Sequence, residues 1–309
     1  MCHIPRRRAV LEPTAVGGCP HVGDETQSAA NMAGILRLRI LFASLSGCFD
    51  QDDSWQEEFW MGRNMKSLIA VSLVSICCLG ITMTAGASDS TQTFSTSAGP
   101  VKITPLFHAS TLIEAGGKAI YLDPAKPAKL DGLPKADLIL VTDIHGDHMD
   151  ADAEKEVSKP GTVIFAPPAV VQTVTTAKPI ANGESKTWEG WTIEAIPAYN
   201  LKRGPEPGKL FHDKGRGNGY ILTYGGKRFY FSGDTEGVPE MRALKNIDVA
   251  FVCMNLPYTM PPDEAADAVK AFHPKVVIPY HYRGSDLAVF QKGLQGTGIE
   301  VRLLEWYPK

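Results

Sequence analysis

Cysteine is scarce where it would matter for a fold. Of the six cysteines, five (Cys2, Cys19, Cys48, Cys77 and Cys78) precede residue 80, which leaves Cys253 alone in the rest of the chain. One thiol builds no disulfide framework, so the later part of the chain has to hold itself together by packing. Cys253 lies in the apolar run Val249-Ala250-Phe251-Val252-Cys253 and reads as a small core residue rather than a ligand. An excess of one charge is missing too: 31 basic against 34 acidic residues leave a net charge of -3. That balance supplies neither a basic footprint for nucleic acid nor an acidic tail, so nucleic acid is not expected as a partner. The apolar stretch over residues 68–83 is interrupted by Ser and Thr and is short for the ~30 Å of a bilayer core.

That stretch has another reading. Arg63 and Lys66 precede it, and Ala85-Gly86-Ala87 follows with the small-x-small pattern that signal peptidase requires. Residues 65–87 are therefore expected to be a cleaved export signal, cut after Ala87, which implies a periplasmic or secreted protein with no stable membrane span once mature. Residues 1–64 show no sustained period. They read as an unstructured leader, or as sequence ahead of a true start at Met61 or Met65. Residues 88–100, rich in Ser, Thr and Gly, are expected to form a flexible lead-in.

Residues 101–309 amount to one domain's worth of chain. Strand character over 101–114 and 118–122 flanks Gly116-Gly117, and strand character over 220–224 and 228–232 flanks Gly225-Gly226, so two hairpins of one design are predicted. The continuous apolar run at 137–142 suits a strand buried on both faces. Helices are expected over 151–158, 168–175, 238–244, 262–272 and 286–294, with strands over 161–166, 191–197, 249–254, 276–280 and 300–305. Pro262 suits the first turn of its helix, beside Asp263 and Glu264 at the positive dipole end, and His273 reads as a cap at the other end. Two hairpin-rich halves, each followed by helix–strand units, predict an α/β fold of two sheets sandwiched between helices.

The segment that carries chemistry is Asp143-Ile144-His145-Gly146-Asp147-His148, directly after the buried run at 137–142. Four potential ligands within six residues are dense for a surface loop. Imidazole nitrogens and carboxylate oxygens are the donors that borderline and harder divalent ions prefer. Gly146 allows the sharp turn that lets alternate side chains converge. The competing reading is a polar loop capping the helix at 151.

This segment resembles the metal motif of the metallo-β-lactamase superfamily, written His-x-His-x-Asp-His. The resemblance continues in order along the chain: Phe107-His108-Ala109-Ser110 looks like the family's first-strand segment, and Leu122-Asp123-Pro124 its second-strand aspartate. Ser232-Gly233-Asp234-Thr235 is similar to the Gly-Asp-Thr signature, and Pro279-Tyr280-His281-Tyr282 to the final histidine motif. Within the superfamily the chain looks closest to the lactonase-like, zinc-dependent hydrolase branch. The resemblance implies a four-layer αββα sandwich holding two divalent metal ions, Zn in the first place, with Mn or Fe as alternatives. His145 would bind one metal, Asp147 and His148 the other, Asp234 would bridge, and His281 would complete the second site. Asp123 would orient the ligand loop, and His108 would support the site or touch substrate. Two positions depart from the pattern. Asp143 stands where the first histidine is expected, which favours harder ions. The histidine expected after the strand at 191–197 is replaced by Ala198-Tyr199-Asn200, so either His212 takes that ligand position, or Asn200 does, or one metal site is weak or empty.

What this implies is a hydrolase acting on a small-molecule lactone, ester, amide or phosphodiester through a metal-activated water, with Asp147 orienting that water. Metal-bound water or a nearby side chain, Tyr258 or Tyr282, would protonate the leaving group. Lys202, Arg203, Lys209, Lys214 and Arg216 form either a rim that attracts an anionic substrate or an ordinary solvated loop. Two other readings compete: a metal-loaded scaffold without turnover, suggested by Asp143 and Asn200, and a redox di-iron protein of the same fold. The last is disfavoured by His145, where the redox branch tends to carry glutamate.

Overall fold

In the computed structural model the described residues are 90–307. The unstructured leader and the export signal expected over residues 1–87 lie outside them. The described chain forms two seven-stranded sheets. The first runs in chain order through β1 (Gln92–Thr96), β2 (Gly99–Phe107), β3 (Ser110–Ala115), β4 (Lys118–Leu122), β5 (Leu138–Leu140), β6 (Val163–Ala166) and β7 (Lys178–Pro179). The second holds β8 (Ser185–Trp188), β9 (Trp191–Ala198), β10 (Gly217–Tyr224), β11 (Lys227–Phe231), β12 (Val249–Cys253), β13 (Val276–Tyr280) and β14 (Glu300–Val301), again in chain order. Each sheet begins antiparallel and turns parallel, at the β4–β5 and β11–β12 pairs.

Alternation along the strands explains the layers. In β4 and β5, Ile120, Leu122, Leu138 and Leu140 belong to the core shared with the second sheet, together with Ile193, Tyr220, Leu222 and Phe229. Tyr121 and Ile139 point the other way, onto Ala153 and Val157 of α1 (Ala151–Val157) and Val170 of α2 (Pro168–Val171). The second sheet is packed by α3 (Pro239–Arg242), α4 (Pro262–Phe272) and α5 (Leu287–Gly293). α4 starts at Pro262 and buries Ala265, Ala266, Ala268, Val269 and Phe272 on one face. It ends at His273, which caps it with φ 47°. Two facing sheets with helices on their outer sides make the expected four-layer αββα sandwich. Cys253 is fully buried, and burial pushes its thiol up to about 12, which suits the small core residue.

The segment expected as a flexible lead-in is a correction. Residues 92–96 pair antiparallel with β2, and Phe94 buries itself edge-on against Phe229 at 5.6 Å. Threonines flanking one buried aromatic make an edge strand, a pattern hidden by the Ser/Thr/Gly composition. The strand expected over 101–114 is also divided. It breaks at His108, whose φ is 55°, into the two arms of a hairpin.

Candidate metal centre

The candidate site lies where strands of both sheets end. His108 follows β2, Asp123 follows β4, residues 142–148 follow β5, Asp234 follows β11 and His281 follows β13. The β5 loop turns tightly, with the His148 and Met149 amides donating to the His145 carbonyl, and Asp150 then caps α1 through the amides of Asp152 and Ala153. His108, Asp123 and His281 all have left-handed backbone, with φ of 55°, 46° and 49°. Non-glycine residues held there cost roughly 1–2 kcal/mol each, so the fold spends stability to aim these three side chains. The His281 amide donates to the His108 carbonyl at 3.2 Å, tying the two turns together.

The side chains converge. His148 Nε2 lies 3.4 Å from Asp234 Oδ2 and His212 Nε2 lies 3.1 Å from the same oxygen. His281 Nε2 stands 3.6 Å from Asp234 Oδ1 and 3.3 Å from Asp147 Oδ2. His108 Nε2 meets Asp147 Oδ2 at 3.1 Å, and His145 Nδ1 meets Asp143 Oδ2 at 3.0 Å. Three groups have donor atoms within 4.8 Å of one another, the last two sharing His281: Asp143, His145 and His212; His148, Asp234 and His281; His108, Asp147 and His281. All seven metal-ligand candidates picked out in the sequence, and His108 with them, therefore fall within these groups.

Behind the cluster, hydrogen bonds fix the His148 and His212 rings. Asp123, fully buried, accepts from Thr142 N at 2.7 Å and Thr142 Oγ1 at 2.6 Å, and its Oδ2 lies 2.9 Å from His148 Nδ1. With Nδ1 donating to that carboxylate, the neutral form of His148 turns its lone pair on Nε2 toward the cluster. Asn200 does the same for His212: its Oδ1 lies 2.7 Å from Nδ1 and accepts the His212 amide at 2.8 Å, while Nδ2 donates to Glu236 and to the Tyr258 carbonyl. In the choice between His212 and Asn200, then, the imidazole faces the cluster and the carboxamide orients it. Asp143 is held by Arg216, Nε to Oδ1 and Nη2 to Oδ2, each at 3.0 Å. Gly217 makes room for this pair, since a β-carbon there would stand 3.2 Å from Asp143 Oδ1. The Asp143–Arg216 pair carries no net charge, as a neutral histidine would.

The electrostatics follow from this packing. Burial opposes the charge of Asp147, yet hydrogen bonds from His108 and His281 and the charge of His148 hold its carboxyl far below the usual range. Burial is likewise outweighed at Asp234, by His281 and His148. His148 would lose its proton readily from burial alone, but Asp234 and Asp123 hold it well above the ordinary imidazole value. Burial pushes Asp123 up against the pull of His148 and Thr142, and pulls His108 down.

A cation fits this arrangement. His148 Nε2, His212 Nε2 and Asp234 Oδ1 are buried without a hydrogen-bond partner. Three such orphans in one cluster would cost about 1–3 kcal/mol each if left unpaired. Nitrogen and oxygen donors with their second atoms already tied down are what a divalent ion takes.

Several partners carried no signal in the sequence. Tyr307 Oη lies 2.7 Å from His108 Nδ1, and Trp306 offers its carbonyl to the His108 amide. Tyr282 is a correction: its hydroxyl donates to the Leu304 carbonyl, and only Tyr258 of the two tyrosines lines the cavity. Of the two readings of the five cations, their pairing favours the ordinary solvated loop over the rim. Arg203 pairs with Glu236 and Glu264, Lys202 with Glu264, Lys209 with Glu206, Lys214 with Glu240, and Arg216 with Asp143.

Comparison with known proteins agrees with this picture. Residues 102–281 match the family described as the beta-lactamase superfamily domain. A UPF0173 metal-dependent hydrolase of Pelotomaculum thermopropionicum is 30% identical over 226 residues, 66% of this chain and 96% of that protein. A crystal structure of a candidate metal-dependent hydrolase from Parabacteroides distasonis superposes with a TM-score of 0.67 and 39% identity, covering 70% of this chain and 99% of that one. The metallo hydrolase Igni18 of Ignicoccus hospitalis does so with a TM-score of 0.56 and 26% identity, over 66% and 95%. The chain belongs to the metallo-β-lactamase superfamily, and within it to the UPF0173 family of metal-dependent hydrolases.

Proposed function

We propose that this protein hydrolyses a lactone, ester, amide or phosphodiester bond in a small molecule, using two divalent ions, zinc in the first place. The carrying observation is that His148, His212 and Asp234, whose side chains meet at the Asp234 carboxylate, each keep a buried atom without a hydrogen-bond partner. Asp143, His145 and His212 would hold one ion, Asp147, His148 and His281 the other, with Asp234 between. A bound metal pair supplies Lewis acidity and lowers the pKa of water toward neutrality.

The chain's own residues do the positioning. Asp147, held as a carboxylate and with its side chain 42% exposed at the cavity wall, orients a water and stays unprotonated while doing so. The hydrogen-bond network assigns the protons behind it. Arg283 N donates to Tyr307 Oη, so the tyrosine proton goes to His108 Nδ1 and the Nε2 proton of His108 goes to Asp147. That chain keeps His108 neutral in one tautomer and fixes the rotation of the Asp147 carboxylate. Tyr258, half exposed beside the site, is the side chain best placed to meet a leaving group. A cavity of about 600 Å³ suits a small-molecule substrate. We further assign residues 65–87 as an export signal that delivers the mature domain to the periplasm or outside the cell.

Metal analysis of the purified domain, followed by assays of wild type and Asp147→Ala on lactone, β-lactam and phosphodiester panels, tests this. We expect about two ions per chain, activity lost on chelation and restored by metal, and a fall of roughly 10²–10⁴ in kcat for Asp147→Ala. A metal-loaded protein inert on every substrate would favour a scaffold. Equal turnover by Asp147→Ala would sink the positioning role.

A further inference from the structure

We propose, resting on the hydrolase reading above, that Arg283 makes this cavity select substrates that carry a carboxylate on an apolar body. Arg283 stands two residues beyond His281 and shares the cavity wall with His108 and Asp147. The cations expected from the sequence to draw in an anion are already committed to carboxylates, as is Lys126 of the adjoining cleft, which pairs with Glu156. Arg283 is different. It is exposed, and among the described residues its guanidinium has no carboxylate partner and no hydrogen bond.

It is nonetheless held in place. The guanidinium carbon lies 5.5 Å from the ring centre of Phe107 and 5.6 Å from that of Tyr307, and those two rings meet edge to face at 5.4 Å. Its own backbone amide donates to Tyr307 Oη at 3.0 Å, the hydroxyl that faces His108. A guanidinium lodged against ring faces keeps its in-plane N–H groups free, and that fork matches the two oxygens of a carboxylate. An ordinary surface arginine would not have its orientation set from two rings and its backbone at once. A single unpaired cation among the cavity-lining residues also favours a monoanion over a phosphate dianion, which would call for more donors.

The remainder of the cavity describes the rest of the molecule. Leu256 and Tyr258 are 47% and 46% exposed there, and Phe211 packs edge-on against Tyr258 at 5.0 Å, an apolar surface beside the metal-site residues. The Asn255 carboxamide lines the same cavity, and only its backbone groups are engaged in hydrogen bonds. A substrate with an apolar body, one carboxylate and a neutral polar group such as an ester or lactone carbonyl meets each of these features.

Two readouts test this on the zinc-loaded protein. Isothermal titration with octanoate, octanamide and octyl phosphate compares wild type, Arg283→Gln and Arg283→Lys, with metal content checked in each. The expected result is octanoate binding about tenfold more tightly than octanamide in wild type. That advantage should fall below about threefold in Arg283→Gln, and Arg283→Lys, which keeps charge without the fork, should fall between. In parallel, kcat/KM is measured for the 4-nitrophenyl esters of butyric acid and of succinic acid as its free monocarboxylate. The succinate ester should lead, and its lead should shrink in Arg283→Gln. An octanoate advantage that survives Arg283→Gln, as it would if the anion sat on the metals, overturns the proposal. An Arg283-dependent preference for octyl phosphate over octanoate overturns the carboxylate assignment. Octanoate binding that depends on Arg283 without cleavage of either ester supports the Arg283 assignment and counts against the hydrolase reading alone.

Discussion

Asp123 is the most demanding place to test the hydrogen-bonded layer behind the metal centre. It is 0% exposed and serves Thr142 N at 2.7 Å, Thr142 Oγ1 at 2.6 Å and His148 Nδ1 at 2.9 Å. Asp123→Ala leaves those donors facing an apolar methyl. At about 1–3 kcal/mol for each stranded donor, and allowing the Thr142 hydroxyl to rotate, a loss of about 3–5 kcal/mol in unfolding free energy is expected. Asp123→Asn separates stability from metal binding. Its carbonyl can still take the Thr142 amide, but a carboxamide nitrogen turned toward His148 forces Nδ1 to accept, which moves the ring proton to Nε2. The fold should then lose only ~1–2 kcal/mol, while the His148 half of the centre loses about 10–100-fold in metal affinity. Urea unfolding of the metal-free proteins gives the first quantity and competition with a chromophoric chelator the second. If Asp123→Asn held both ions as tightly as wild type, the claim that this carboxylate sets the His148 tautomer would be wrong.

Two further outcomes follow from neighbouring groups. Asn200→Ala removes the acceptor of His212 Nδ1 and should weaken one of two metal-binding steps by roughly 10–100-fold while sparing the other, as seen in stepwise metal titration. Glu154 sits on α1 with one buried oxygen unpartnered, and burial, with Asp123 and Asp150 adding to it, raises its carboxyl to about 7. Between the unfolded value of roughly 4.3 and that folded value, the native state holds a proton the unfolded chain has released, so stability falls as pH rises through this window and is level above it. Glu154→Gln, neutral throughout, should gain about 1 kcal/mol on wild type between pH 5 and pH 8, after discounting for solvent screening. A constant difference between the two proteins across that range would count against the raised value.

The parts of the fold legible in the sequence are those with their own periodicity. The run at 276–280 is β13 residue for residue, and 262–272 is α4 from its proline to its capped end. What escaped notice lies at the sheet edges: β1, β7 and β8 are short and largely polar, because an edge strand needs only one or two buried residues. The site divides in the same way. Metal-competent side chains announce themselves by type and spacing, so Asp143 to His148, Asp234 and His281 were visible. Their supports were not. Arg216 meets Asp143 across 73 residues and Tyr307 meets His108 across 199, and no local pattern marks such a pairing. The left-handed turns at His108, Asp123 and His281 were hidden for another reason, since none of the three is a glycine.

The reach of Tyr307 and Trp306 back to His108 bears on how the protein matures. Trp306 is fully buried against Phe251 and Tyr280, and Tyr307 Oη meets His108 Nδ1, so the hydrogen-bonded support behind Asp147 is incomplete until this stretch has docked. A chain emerging from the ribosome, or threading through a membrane pore, would pass His108 long before it could complete the nest around it. The support behind Asp147, begun at His108, is thus finished only by a residue 199 positions further along the chain.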